Sequence, residues 1–426
     1  MKESFLHFIW QFQQFDKSKL RTTDGELVEI FSTGNHNTDA GPDFKNAKIR
    51  IGKIVWHGQV EIHISSSYWT LHGHQNDRAY DNVVLHVVWE NDQKIYNKDV
   101  KLIPTIELKG RIEPELLTKC NQLLNSPELI PCSSQIIDAN KMNVFSMQQQ
   151  ATIERLKIKS EVVFELLKRN KMDWEETTYQ LLAKNFGFKI NSEPFLRLAQ
   201  NAPLKYLKKH VGNLLQIEAM LFGVAGFLDQ SPKDDYHSIL MNEYAFLAKK
   251  YSLEGNEIPE SSWKHLRLRP GNFPAVRISQ FAALINQNPH LFDSFTNFDD
   301  VKILKKSLRI KPSNYWETHY HFGKESKRQL KGMGLNSVEN LLINTTVPLL
   351  VAYSQHLDEP KYMDQALLIL ENLKPESNYI TNKWQELGLS SVNAFESQAL
   401  IEMYNNYCLK KRCLSCKIGV GLISNK

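Results

Sequence analysis

Gly41-Pro42-Asp43-Phe44 and, eighteen residues after Asp43, Val60-Glu61-Ile62-His63-Ile64 form the stretch that decides how this chain reads. Glu61 and His63 stand two apart in an alternating run, so a strand there sends both side chains to one face. Asp43 closes a turn-rich loop, Gly34-Asn35-His36-Asn37-Thr38-Asp39-Ala40-Gly41-Pro42-Asp43. It leads into Ala47-Lys48-Ile49-Arg50-Ile51, which alternates apolar and basic residues as a half-buried strand does. Asp43 is therefore expected to meet Glu61 and His63 from the neighbouring strand. Two carboxylates on adjacent strands suit Mg²⁺ or Mn²⁺, which prefer hard oxygen ligands. Such an ion polarises a phosphoryl oxygen and lowers the pKa of a bound water.

Outward from this stretch, Gly25-Glu26-Leu27-Val28-Glu29-Ile30-Phe31 alternates, and Val55-Trp56 precedes an expected break near His57-Gly58. Asn82-Val83-Val84-Leu85-His86-Val87-Val88-Trp89 has the β-branched richness of a buried strand. Leu102-Ile103-Pro104-Thr105-Ile106-Glu107-Leu108 reads as an edge strand, because its proline cannot donate to a ladder. The N-terminus reads as a short amphipathic helix. From about residue 113 the period becomes helical, with apolar Ile153, Leu156, Val163 and Leu167 forming one stripe. Helices are expected over 146–171, 175–186, 204–227, 236–251, 273–285, 339–353, 362–373 and 394–407, with 252–262 a linker or loop. The fold class is α+β: an N-terminal α+β domain (1–112), a larger all-α domain (113–405) and a cysteine knuckle with tail (406–426).

Composition narrows the functional classes. The 426 residues are 42% hydrophobic and 23% charged, ordinary for a globular chain able to bury a sizeable core. No apolar run reaches 18 residues, so no membrane span is expected, and the N-terminus lacks the h-region of a signal peptide. A cytoplasmic setting is expected, since five cysteines without a signal argue against a disulfide framework. A net charge of +5 permits an acidic partner without requiring one. P-loop, G-x-G-x-x-G, H-E-x-x-H and G-x-S-x-G motifs are missing, which leaves nucleotide-driven motors and serine hydrolases without support.

Pro42-Asp43, a spacer, and then Glu61-Ile62-His63 resemble the Pro-Asp … Glu-x-Lys signature of PD-(D/E)XK nucleases, and the helix–strand–strand–strand order is similar over about residues 5–110. The resemblance implies a restriction-endonuclease-like domain in which Asp43 and Glu61 hold the metal and His63 stands where the family has lysine. Histidine near neutrality is mostly uncharged, so there it would act as a base or a ligand. The wider pattern, Gly34-Asn35, Trp56-x-Gly58-x-Val60-Glu61-Ile62-His63 and Asp81-Asn82-Val83, looks like a bacterial family of unknown function spanning most of the chain.

Six of 14 histidines fall between residues 36 and 86 (His36, His57, His63, His72, His74 and His86). His72, His74 and Asp77 are candidate substrate or metal contacts. At the other end, Cys408, Cys413 and Cys416 supply three thiolates, and Cys132 is the best fourth ligand for a Zn²⁺ or Fe–S site. Neighbouring Lys410, Lys411, Arg412 and Lys417 would lower the thiol pKa values. By resemblance, some PD-(D/E)XK nucleases carry an Fe–S cluster whose cysteines flank the nuclease core. Residues 264–331 hold 13 Lys/Arg against 5 Asp/Glu, interleaved with Phe273, Tyr315, Trp316, Tyr320 and Phe322, a composition suited to nucleic acid. Within it, Leu330-Lys331-Gly332-Met333-Gly334-Leu335 resembles the hairpin of helix-hairpin-helix modules, which meets a phosphate at a helix start. The sequence thus points to a divergent metal-dependent nuclease or phosphodiesterase. The alternatives are a non-catalytic nucleic-acid-binding or scaffold protein on the same fold, and a His-rich zinc hydrolase.

Overall fold

Strand β4 (Ile54–Ser65) is the middle of a mixed sheet. In the computed structural model, which describes residues 2–37, 39–229, 231–327, 329–330 and 332–424, it is flanked by β3 (Phe44–Ile51) and β5 (Val83–Glu90). β1 (Val28–Ser32) pairs antiparallel with β3, as β3 does with β4. β5 then joins β4 in parallel, and the short β6 (Thr105–Glu107) joins β5 in parallel at the edge. A two-residue strand, β2 (Asn35–His36), pairs with the start of β3. On β3 the expected alternation is present: Phe44, Ala47, Ile49 and Ile51 are buried between more exposed neighbours. Helix α1 (Glu3–Gln11) packs on β4 and buries Phe5, Leu6, Phe8, Ile9 and Trp10.

The break expected near His57-Gly58 does not occur; β4 runs through it. Glycine is there for another reason. A Cβ on Gly58 would lie 2.4 Å from Val84 Cγ1 and 2.7 Å from the Asn82 carbonyl oxygen, so β5 approaches too closely for any side chain. Parallel pairing of β4 with β5 needs a crossover. Residues 66–82 provide it as three short helical turns, Tyr68–Leu71, His74–Asn76 and Arg78–Tyr80, which carry His72 and His74.

Contacts divide the chain into two units. The first comprises residues 1–149, 383–389 and 401–426; the second comprises 150–382 and 390–400. The second is helical around one large apolar core. Two expected helices are interrupted there. Residues 204–227 split around Gly212, at φ +95°, after which the Asn213 side chain accepts the Gln216 N–H and starts Leu214–Val224. Residues 339–353 contain a π-turn, Leu342–Thr346. Pro348 has no N–H for the Asn344 carbonyl four residues earlier, and that oxygen instead accepts the Asn185 side-chain amide at 2.9 Å. The 252–262 segment is a loop ending in the turn Glu260–Ser262 and lies wholly inside the second unit. No helix among the described residues is long and apolar enough to cross a membrane.

Candidate metal centre

In the first unit the sheet and its crossover bring Asp43, Glu61, His63, His72 and His74 to one place. Glu61 and His63 are 5% and 2% exposed, although both are polar. At the ends of β3 and β4, backbone and side chains interlock. The Glu61 carboxylate accepts the Asp43 N–H at 3.2 Å, and the Asp43 carboxylate accepts the Ile62 N–H at 2.9 Å. Asp43 thus does reach Glu61 from the neighbouring strand.

The remaining contacts are short distances between potential ligand atoms. Glu61 Oε1 lies 3.5 Å from His63 Nε2 and 3.4 Å from His74 Nε2, while His72 Nδ1 is 3.3 Å from His63 Nε2. The ligand atoms of His63, His72 and His74 all fall within 4.8 Å of one another. Donors held 2.0–2.1 Å from one ion at tetrahedral angles would stand roughly 3.3–3.4 Å apart, close to the three shortest separations here. His74 Nε2 is buried with no hydrogen-bond partner among the described residues, as is Nε2 of His7. Buried donors of that kind ordinarily have partners, so the orphans mark a place for a ligand.

Electrostatics agree with the geometry. Burial, reinforced by His86, His74 and His72, drives the His63 pKa down to about 2, and burial takes His86 to about 3. Both rings are neutral near pH 7, so the close His–Glu contacts are not ion pairs. Burial, and then the Asp43 carboxylate, pushes Glu61 far above the usual carboxylate range. Neutral imidazoles and a reluctant carboxylate lower the cost of assembling a donor set before any cation arrives. His86, on β5, lies with Nε2 2.8 Å from His63 Nδ1. With the proton of that bond on His63 Nδ1, Nε2 is the nitrogen left to ligate. Tyr80 stacks on His74 at 3.9 Å and fixes its plane.

Other sequence candidates fall elsewhere. Asp77 is exposed and caps the turn Arg78–Tyr80 by accepting the Ala79 N–H at 2.9 Å. His57 is exposed on β4. His36 packs against His7 and Phe44. Sequence reading missed Glu3 and His7, one helical turn apart on α1. Nε2 of His7 is 3.4 Å from Asp43, and Glu3 adds to the upward push on Glu61. The available signal was Glu3 and His7 at i, i+4, on one face of a helix whose centre is apolar.

Cys132, Cys408, Cys413 and Cys416 form a second group in the same unit, all buried and reduced. Burial raises every one of these thiols, and neighbouring cysteines raise Cys132, Cys408 and Cys413 further. The expected lowering by nearby lysines is overturned, because burial outweighs it. Lys411 is also occupied by the Ser126 and Glu128 carbonyls, and Lys417 by Ser146. Cys120 is raised to about 12 by burial alone and stands apart from the four. No three of the cysteine sulfurs lie within 4.8 Å of one another among the described residues. Gly419 shapes the knuckle, since a Cβ there would meet the Cys413 carbonyl at 2.3 Å.

In the basic stretch, Trp316 is fully buried against Phe222, and Tyr315, Tyr320 and Phe322 pack on the core. Phe273, outside that core, packs on His265 and His321. Lys331 of the hairpin-like sequence lies outside the described residues.

Comparison with known proteins gives a family without an activity. Residues 3–379 match the family model described as protein of unknown function (DUF2851), and the chain belongs to that family. Neither a curated protein nor a solved structure matches it.

Proposed function

We propose that the first unit is a metal-dependent phosphodiesterase acting on nucleic acid, with one ion held by Glu61, His63, His72 and His74. The observation that carries this reading is the convergence of the His63, His72 and His74 ligand atoms within 4.8 Å of one another, with Glu61 Oε1 3.5 Å from His63 Nε2 and 3.4 Å from His74 Nε2. Three imidazoles with a carboxylate suit Zn²⁺ or Mn²⁺ better than Mg²⁺, which the two-carboxylate reading of the sequence favoured. The sheet supports the assignment: an antiparallel β1-β3-β4 trio with β5 added in parallel after a crossover resembles the PD-(D/E)XK core. His63 takes the lysine position, but its depressed pKa and its bond to His86 make it a ligand and not a base. An ion bound there would supply a polarised phosphoryl oxygen and a water of lowered pKa. Asp43, adjacent and partly exposed, is placed to accept a proton from that water.

The four cysteines belong to the same proposal as a structural centre. Around one Zn²⁺ the sulfurs would stand about 3.8 Å apart. An Fe–S cluster, whose several irons spread the ligands, would hold them further apart.

The test is elemental analysis of the purified full chain followed by cleavage assays on DNA and RNA with Mn²⁺ or Zn²⁺. The reading expects a bound transition metal lost in His74→Ala, and cleavage lost in both His74→Ala and Asp43→Ala. Metal binding without cleavage under any divalent ion would leave the non-catalytic binding protein as the correct reading.

A further inference from the structure

Arg277, in the second unit, is 3% exposed on helix Pro274–Gln287. It has no carboxylate partner among the described residues. Its terminal nitrogens donate to Gln280 Oε1 at 2.9 Å, Asn272 Oδ1 at 2.6 Å and Ser337 Oγ at 3.0 Å, all neutral oxygens. Its guanidinium lies 4.8 Å from the centre of the Phe188 ring. The Nε–H is buried with no partner. Burial alone lowers its pKa to about 10, so the side chain remains cationic near neutrality. A buried, uncompensated charge costs several kcal/mol, and native proteins keep one only where something neutralises it. Here the neutral partners fix the guanidinium plane without supplying the anion.

The anion has a place. Arg277 lines a cavity of about 660 Å³ with the exposed Arg267 and Arg269 and the loop Gly332-Met333-Gly334. No acidic side chain among the described residues lines it. Arg267 is held at φ +65°, a conformation that L residues adopt only at a cost. A Cβ on Gly334 would meet nothing within 4 Å, so the backbone there faces open space.

We propose that this cavity binds a phosphate group, with Arg277 as its buried anchor and Arg267 and Arg269 as outer clamps. Three guanidinium forks match the charge and the several acceptor oxygens of a phosphate, whereas a carboxylate would neutralise only one of them. The phosphate can come from a nucleic-acid backbone or from a free phosphorylated molecule. The proposal stands whether or not the histidine-rich site of the first unit cleaves phosphodiesters.

The test titrates inorganic phosphate, and separately a short single-stranded oligonucleotide, into the full-length protein by calorimetry at constant ionic strength in chloride. Phosphate should bind, and the double variant Arg267→Gln/Arg269→Gln should bind at least about tenfold more weakly, the loss of one charge-assisted contact or more. Both side chains are exposed, so this variant should keep the wild-type melting temperature, which serves if Arg277→Gln fails to fold. Tighter binding of the oligonucleotide, weakened by the same variant, assigns the phosphate to a nucleic-acid backbone. Binding of inorganic phosphate alone assigns it to a small molecule. The proposal is overturned if neither probe binds above chloride, if the double variant binds as well as wild type, or if acetate binds as tightly as phosphate.

Discussion

The first unit holds two groups of buried titratable side chains, and they are built in opposite ways. The histidine-rich group sits on β4, β5 and the crossover between them, within residues 61–86, and hydrogen bonds tie Glu61 to Asp43 and His63 to His86 before any ion arrives. The cysteine group is gathered from residue 132, from the end of the helical segment Met403–Cys408 and from the short turn Cys413–Ser415 with Cys416 after it, pieces of chain far apart in sequence. A site carried by a sheet can lose its ion and keep its shape. A site made by joining distant turns needs its ion to stay joined, since binding energy there is folding energy. The contrast predicts functional loss without unfolding at the first, and unfolding at the second.

The largest effect is therefore expected from Cys413→Ser with Cys416→Ser, on the order of 5 kcal/mol or more of stability. Thermal melts of purified protein would show it. The same measurement on His72→Ala should show little change, because His72 is exposed. Equal losses in the two variants would erase the distinction.

Gly58→Ala comes next, at about 1–3 kcal/mol, because the new methyl meets Val84 and the Asn82 carbonyl and would push β5 away from β4. Metal affinity at the histidines should fall with it, read by competition against a chromophoric chelator. His86→Leu leaves the ligands in place but removes the partner of His63 Nδ1. Affinity should drop about 10–100-fold with a smaller change in melting temperature.

A pH series separates the sites further. His63 and His86 have folded-state pKa values near 2 and 3 against an ordinary 6.5, so below pH 6.5 the unfolded chain takes up protons that the folded chain refuses. Stability from these rings should be lost progressively as pH falls from about 6.5 towards 3. Glu61 acts in the opposite direction. Its folded pKa is raised above the ordinary 4.5, so its contribution is present below 4.5 and declines as pH rises past it. Two histidines outweigh one carboxylate below pH 6.5, so with the histidine site metal-free the melting temperature should peak near pH 6.5 and fall on both sides. An added ion that binds the Glu61 carboxylate should remove the alkaline limb. A local effect of about 1–2 kcal/mol is expected in the second unit from Asn185→Ala, which leaves the Asn344 carbonyl at the π-turn without that partner.

The amino-acid sequence alone determined the parts whose physics is local. Period-two alternation set the strands, Glu61 and His63 shared a face because i and i+2 always do, and histidine density marked the region of the site. The Gly41-Pro42-Asp43 turn placed a carboxylate beside that face. Only tertiary structure decided which histidines join Glu61. His72 and His74 arrive on a crossover that exists because β5 runs parallel to β4, and His7 with Glu3 arrives on a helix packed from outside the sheet. It also decided that Gly58 marks a close approach and not a turn, that residues 401–426 return to the first unit, and that Trp316 of the basic stretch belongs to the core. It set the sign of the thiol shifts, because burial outweighs nearby charge and burial is a property of the packed chain. Pattern along a chain reports which face a residue takes; what stands opposite that face is settled by non-local packing, which no local spacing encodes.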